Sequence, residues 1–427
     1  MTDTYGPTVG GIEVLVRTLA ESQAATGARV TVLTSTPGPP GSDGLVDVYR
    51  DPGLLGSLAA RADVVHGHVS AYSPLALRAV EAGAAGGVPS VATVHSVWGS
   101  AWPLFRGAAA VRGWTSLPIQ WAAVSDVAAR SVRRALPGQG VLVVPNGVDT
   151  SYWAPLDPPR RRDHVTIVSV MRMSRRKRPL ELVDALRRMH ARLPQGIRVD
   201  VVLVGDGPLL EPLRRKVGRL GMNRWVNTPG DLTHHQLRDL SRRAEVFVAP
   251  ATLESFGLAA LEARAAGLAI VAREGTGVTE FVTHGVDGLL AGSDDELADH
   301  LAVLCSDAVT RNRIVGHNHL VPARLDWSHV RELNAAAYAI ARARAAAPTG
   351  HLNSPAGHHL TSPAGHLTSP ADHLTSPVPA PLRPLRRGDG RPRARQPEGS
   401  GFPASAAGWP LVPGGTLPPG TNTPTRV

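Results

Sequence analysis

The chain has 427 residues, 43% of them apolar, enough for about two to three domains of roughly 150 residues and too apolar for wholesale disorder. Its formal net charge of +10 is carried by arginines scattered along the chain, Lys177 and Lys216 being the only lysines; this reads as a solvated surface, argues against a nucleic-acid partner and leaves room for anionic lipid or phosphorylated substrates. A single cysteine, Cys305, excludes an intramolecular disulfide, argues against a Cys-built zinc site and suits a reducing cytoplasm.

Residues 1–155 open with a glycine loop and a predicted helix at 12–26. Short β-branched runs at 29–34, 63–66, 90–94, 121–124 and 141–144 then read as strands, with helices at 74–85 and 126–136 between them. Residues 156–345 repeat the scheme. Strands are predicted near 165–170, 199–204, 225–228, 246–249 and 269–272, with helices near 179–193, 209–220, 233–243, 256–266 and 294–305. Short apolar strands alternating with helices imply parallel sheets covered on both faces. The predicted class is therefore α/β, as two Rossmann-like doubly wound domains facing a ligand cleft at the strands' carboxyl ends.

The tail, 346–427, is rich in Pro and Gly and carries the repeat His359-Leu-Thr-Ser-Pro, His366-Leu-Thr-Ser-Pro, His373-Leu-Thr-Ser-Pro. Such composition cannot form a core, so the tail is expected to be disordered, and a solvated extension is favoured over a metal site at its histidines. At the other end the glycine loop arrives after only nine mostly polar residues. The first strand of the first domain is therefore expected to be missing, and the native start to lie upstream. No basic-then-apolar leader opens residues 1–11, and no run approaches the ~18 apolar residues of a membrane-crossing helix.

Glu254-Ser-Phe-Gly-Leu-Ala-Ala-Leu-Glu262 follows a predicted strand. Ser255, Phe256, Gly257 and Leu258 are expected to form the first turn of a helix, whose free N–H groups and dipole suit a diphosphate. Glu262 lies about 12 Å farther along such a helix, the span of a sugar diphosphonucleotide from sugar to ribose. A carboxylate can accept both hydroxyls of a ribose diol. Arg172 and Lys177 lie in a loop just after another strand, where cations stabilise the negative charge that a departing diphosphate develops.

Five pieces in this order resemble the retaining glycosyltransferases of the GT-B fold, family-4 type: Gly10-Gly11-Ile-Glu13, Thr93-Val-His95-Ser, Pro145-Asn-Gly-Val-Asp149, Arg172 with Lys177, and Glu254 with Glu262. Val204-Gly-Asp-Gly-Pro208 and Glu262-Ala-Arg-Ala-Ala-Gly267 match as well. The resemblance spans about residues 5–300. It implies a nucleotide-sugar donor bound by the second domain and an acceptor bound by the first. Arg172 and Lys177 correspond to phosphate-binding cations, Glu262 to the ribose-binding glutamate, and Glu254 to the glutamate near the donor sugar. Gly10 and Gly11 correspond to the loop at the donor phosphates, and His95 to a histidine contacting the donor sugar. The route it implies is front-face displacement, with the leaving phosphate helping to deprotonate the acceptor. Departures are Met171, Ala251 and Ala269, where the family usually has Gly, Ser and Pro.

No Asp-x-Asp triplet occurs in 1–345, so a metal clamp lacks its usual ligands, and no cofactor is expected beyond the nucleotide sugar as co-substrate. P-loop, dinucleotide-fingerprint and nucleophile-elbow patterns are absent as well. A hydrolase or epimerase of the same fold, or a catalytically silent nucleotide-sugar-binding or scaffold protein, is the alternative. For His66 and His68 a structural role is the weightier expectation. Trp98, Trp102, Phe105, Trp114 and Trp121, beside Arg106 and Arg112, are the candidate surface for an acceptor or for peripheral contact with the anionic inner face of the plasma membrane, against the alternative of core packing.

Overall fold

The computed structural model of the chain describes residues 1–7, 10–39, 41–155 and 164–347. The tail expected to be disordered lies, from 348 on, outside the described residues.

In the first half, β1 (Val30–Leu33) runs parallel to β3 (Val46–Tyr49), and β2 (Gly41–Asp43) pairs antiparallel with β3. β4 (Val65–Val69), β5 (Ser90–Val94), β6 (Ile119–Ala123) and β7 (Val141–Val143) form a parallel sheet in that order. Every residue of β5 and β6 is buried, as central strands covered on both faces must be. Thr2 stands between the two sheets: its N–H donates to Leu33 O (3.0 Å), and His68 N–H donates to Met1 O (2.9 Å). A single bridging residue thus occupies the slot of the expected first strand, and no longer strand precedes α1 (Gly11–Ala24) among the described residues. The half is completed by α2 (Leu55–Ala60), α3 (Pro74–Ala85), α4 (Trp102–Arg112), α5 (Asp126–Ala135) and the short α6 (Thr150–Trp153).

The second half contains β8 (His164–Val170), β9 (Arg198–Val204), β10 (Val226–Gly230), β11 (Val246–Ala249), β12 (Ala269–Arg273) and β13 (Gly288–Ala291). They build one parallel sheet in the order β10-β9-β8-β11-β12-β13. Counted from β8 this is the doubly wound order, with its reversal between β8 and β11. Around it lie α7 (Pro179–Arg192), α8 (Leu210–Arg219), α9 (His234–Ser241), α10 (Leu258–Ala265), α11 (Asp294–Ser306) and α12 (Ala308–Leu320).

The last helix, α13 (Trp327–Ala346), returns to the first half. Its small residues Ala337 and Ala341 pack with Val91 of β5, and Arg344 Nη1 donates to Ile119 O (3.2 Å). The expected unit 156–345 is therefore not self-contained, because alanines on one helix face let α13 sit closely on β5 and β6.

Other boundaries differ too. β4 runs to Val69 rather than ending at 66, because pairing with β5 (His68 with Thr93, Val69 with Val94) carries the strand through Gly67. The aromatic segment 98–121 turns inward. Trp98, Trp114 and Trp121 are buried; Trp98 stacks on Phe105 with centroids 3.8 Å apart, and Trp114 Nε1 donates to Glu81. Core packing accounts for these indoles, and the outer face of α4 is left with Leu104, Arg106 and Val111 exposed.

Candidate functional site

The reversal between β8 and β11 sets two loops side by side at the strands' carboxyl ends, 171–178 and 250–257. The first is pinned from behind by the turn after β9. Met171 N–H donates to Val204 O (3.0 Å), Met173 N–H to Asp206 O (2.8 Å), and Leu209 N–H to Met173 O (2.8 Å). Gly205 has φ +130°, and a Cβ there would stand 1.9 Å from Met171 O, so no other residue fits this approach.

From that anchored loop Lys177 reaches across and ion-pairs with Glu254. Arg178 makes two bonds to Asp294 (2.9 and 2.6 Å) and donates to Pro250 O (3.2 Å). The paired guanidinium holds Asp294 below the usual carboxylate range. These bonds keep Arg178 at φ +59°, a left-handed conformation that costs a non-glycine residue about 1–2 kcal/mol. Arg172 is exposed.

In the second loop, α10 begins at Leu258, later than expected. Gly257 takes φ +92° as the N-cap, so Ser255 and Phe256 form an irregular loop rather than the first helical turn. Phe256 is buried against Phe281, with ring centroids 5.4 Å apart, so its ring belongs to the core. α10 has no side-chain cap, leaving its first N–H groups without intrahelical partners. The 12 Å helical span between Glu254 and Glu262 therefore does not form; Glu262 lies only about one turn into the helix.

Glu262 faces a cavity of about 210 Å³, which it shares with Leu15 and Thr18 of α1, Tyr152, Trp153 and Trp327. Its side chain is 13% exposed, with His234 Nε2 3.8 Å from the carboxylate. Burial pushes its pKa up to about 8, so it holds its proton near neutrality.

On the opposite side, Gly10 caps α1 in an extended conformation, Gly11 is the first helical residue, and no side chain caps this end either. His95 directly follows β5, its N–H donating to Val69 O (2.8 Å). Its Nε2 lies 3.0 Å from His68 Nδ1, and the His66 ring lies tilted beside His68 with centroids 4.2 Å apart. Burial lowers His66 to about 3, His95 to about 4, and His68 well below 6.5, so all three rings are neutral. They border a small space of about 10 Å³ that has Leu15 and Trp327 in common with the larger cavity. The structure thus joins Lys177 to Glu254, brings Glu262 to α1, and places His95 beside that same helix.

Three contributors escaped the sequence reading. Gly277 N–H donates to Glu254 O (2.9 Å), steadying the second loop. Glu280 accepts Asp126 N–H (2.6 Å) from the first half. The Gly-Thr-Gly run at 275–277 was the available signal for both. Trp327 lines both cavities, and nothing in its local sequence announces that. Among the described residues, no group of three or more His, Cys, Asp or Glu is arranged to hold a metal ion.

Two family models match the chain: glycosyltransferase family 4 over residues 9–152 and glycosyl transferases group 1 over 157–318. The chain is 31% identical to the phosphatidyl-myo-inositol mannosyltransferase of Mycobacterium tuberculosis, over 63% of this chain and 71% of that protein. It is 29% identical to the alpha-maltose-1-phosphate synthase of the same organism, over 65% and 79%. Among solved structures it is similar to Anabaena HepE in complex with UDP and glucose, with a TM-score of 0.63 at 19% identity, covering 79% of this chain and 98% of that one. The sucrose-phosphate synthase of Thermosynechococcus elongatus gives 0.59 at 20%, covering 77% and 94%.

Proposed function

The chain belongs to the glycosyl transferases group 1 and glycosyltransferase family 4 and has the GT-B fold; from that premise we propose that it moves a hexose-type sugar from a nucleotide diphosphate sugar to an acceptor hydroxyl with retention at the anomeric carbon. The observation that carries this reading is the Lys177–Glu254 pair at the sheet's reversal point, with Glu262 facing the adjoining cavity.

Lys177 and Arg172 supply fixed positive charge to the diphosphate, which gains negative charge as the sugar–phosphate bond breaks, so the reaction proceeds without a metal or other cofactor. The free N–H groups opening α1 at Gly10-Gly11 add to that anion site. Glu262 holds the ribose diol; carrying its proton, it donates to one hydroxyl and accepts from the other. Glu254 and His95 meet the donor sugar. The acceptor oxygen forms its bond on the face the phosphate leaves, and the acceptor proton passes to the departing phosphate.

Thermal unfolding against UDP, GDP, ADP and TDP, each with its common sugars, tests the donor assignment. A ligand at about 100 times its Kd adds about 2.7 kcal/mol, a shift of several degrees. Stabilisation by one nucleotide supports the reading, and no shift in a folded sample refutes it.

No helix among the described residues is long and apolar enough to cross a membrane. The outer face of α4, with Leu104 and Val111 77% and 86% exposed beside Arg106, is the surface we assign to peripheral contact with anionic lipid from the cytoplasm. Flotation with anionic liposomes supports it, and absence of binding ends it.

A further inference from the structure

The histidines of the first half form an ordered array of two hydrogen-bonded groups, His66 with Tyr338 and Thr93, and His68 with His95. His66 and His68 lie two apart on β4, and Thr93 and His95 two apart along β5, so all four side chains share one face of the sheet. α13 closes the array from 272 residues away in sequence. Gln23 Nε2 donates to Tyr338 OH (2.8 Å), and the His66 ring is bonded at both nitrogens, Nδ1 to Tyr338 OH (2.9 Å) and Nε2 to Thr93 Oγ1 (2.8 Å). Both His66 nitrogens are thereby held, and its ring lies beside His68, tilted by 34°.

His68 and His95 face each other Nδ1 to Nε2 at 3.0 Å. Two neutral rings share one proton across that contact. If His68 Nδ1–H donates, His95 carries its own proton on Nδ1; if His95 Nε2–H donates, its Nδ1 is a bare acceptor. Among the described residues nothing else bonds the His95 ring.

We propose that His68 is a positioning residue for His95: it occupies Nε2, leaves Nδ1 as the ring atom that meets a hydroxyl of the bound sugar, and sets whether that atom donates or accepts. The proposal rests on the donor reading above for its ligand, but its geometry does not. His68→Leu removes the partner, whereas His68→Asn keeps an amide group where Nδ1 stood.

Long-range 1H–15N spectra of histidine-labelled protein read the tautomers without any substrate. His68→Leu is expected to shift the His95 ring nitrogens, and His68→Asn to retain a bonded Nε2. With a nucleotide sugar identified, His68→Leu is expected to lower kcat about tenfold or more while nucleoside diphosphate affinity stays within about twofold, and His68→Asn to recover most of the loss. Unchanged His95 nitrogens in His68→Leu overturn the proposal, as does an equal loss of kcat in two folded variants. If no nucleotide binds the unaltered protein, the donor reading fails, and the spectra alone decide the role of His68.

Discussion

The two faces of the cleft solve opposite problems. The first half presents buried neutral rings, His66, His68 and His95, tied by hydrogen bonds to one another, Thr93 and Tyr338. The second presents ion pairs: Lys177 with Glu254, Arg178 with Asp294, and the deeply buried Arg264 with Asp287 (2.8 Å) behind them. Neutral groups suit the selection of uncharged hydroxyls, and fixed charges suit a diphosphate. The two halves thus differ in how they hold their polar groups, by hydrogen bonds between neutral rings in one and by pairing of opposite charges in the other.

The severest break of this contrast is Arg264→Leu. It removes the guanidinium from the buried Asp287, leaving it only Thr283 N–H and His317, and is expected to cost about 3 kcal/mol by denaturant unfolding. Lys177→Met removes charge from the reacting face and should lower turnover by about 10²–10³ with the fold intact, measured as sugar transfer or release. pH dependence sharpens the comparison because the halves respond in opposite senses. The histidines, lowered from 6.5 to about 3 and 4, contribute stability that is complete above 6.5 and lost as pH falls toward those values. Glu262, raised from 4.5 to about 8, contributes stability that is complete below 4.5 and lost as pH rises through 8. Melting curves across pH should therefore flatten on the alkaline side in Glu262→Gln and keep their acid arm. The gentlest test is Arg106→Glu on the exposed face of α4, expected to change stability by less than about 0.5 kcal/mol while abolishing anionic-liposome binding.

Much of the architecture was legible because buried parallel strands need unbroken apolar runs, and 90–94 and 246–249 form at the expected bounds. The sequence placed Lys177 in a loop after one strand and Glu254 after another, but their pairing across the reversal between β8 and β11 is seen only in the fold. β2 and β3 were not legible: β2 is a three-residue edge strand, Gly-Ser-Asp, with no apolar pattern, and β3 is only four residues long, with Asp47 between its buried valines. α13 was hidden for a different reason. Its buried face includes Asn334, Ala337 and Ala341, small or polar residues that become core only against a sheet formed far earlier in the chain. The tryptophans of 98–121 beside arginines suggested an interface, yet Arg112 pairs with Glu81, and that same glutamate holds the Trp114 indole. A local pattern of aromatics and cations cannot report a partner on another helix. The start of α10 was misplaced because the left-handed turn at Gly257 depends on the backbone around it rather than on helix propensity.

The return of α13 onto β5, β6 and α1 has a consequence for biosynthesis. A ribosome releases the first sheet long before it releases residues 327–346, so Val91, the Gln23 side chain and the His66 ring await their covering until nearly the whole described chain has been made. During that interval the nascent first half exposes an apolar sheet face to its surroundings, an aggregation hazard that chaperones exist to shield. Completion of the amino-terminal fold is therefore coupled to the synthesis of α13, and ribosomes stalled before Trp327 should leave a half that proteases digest readily.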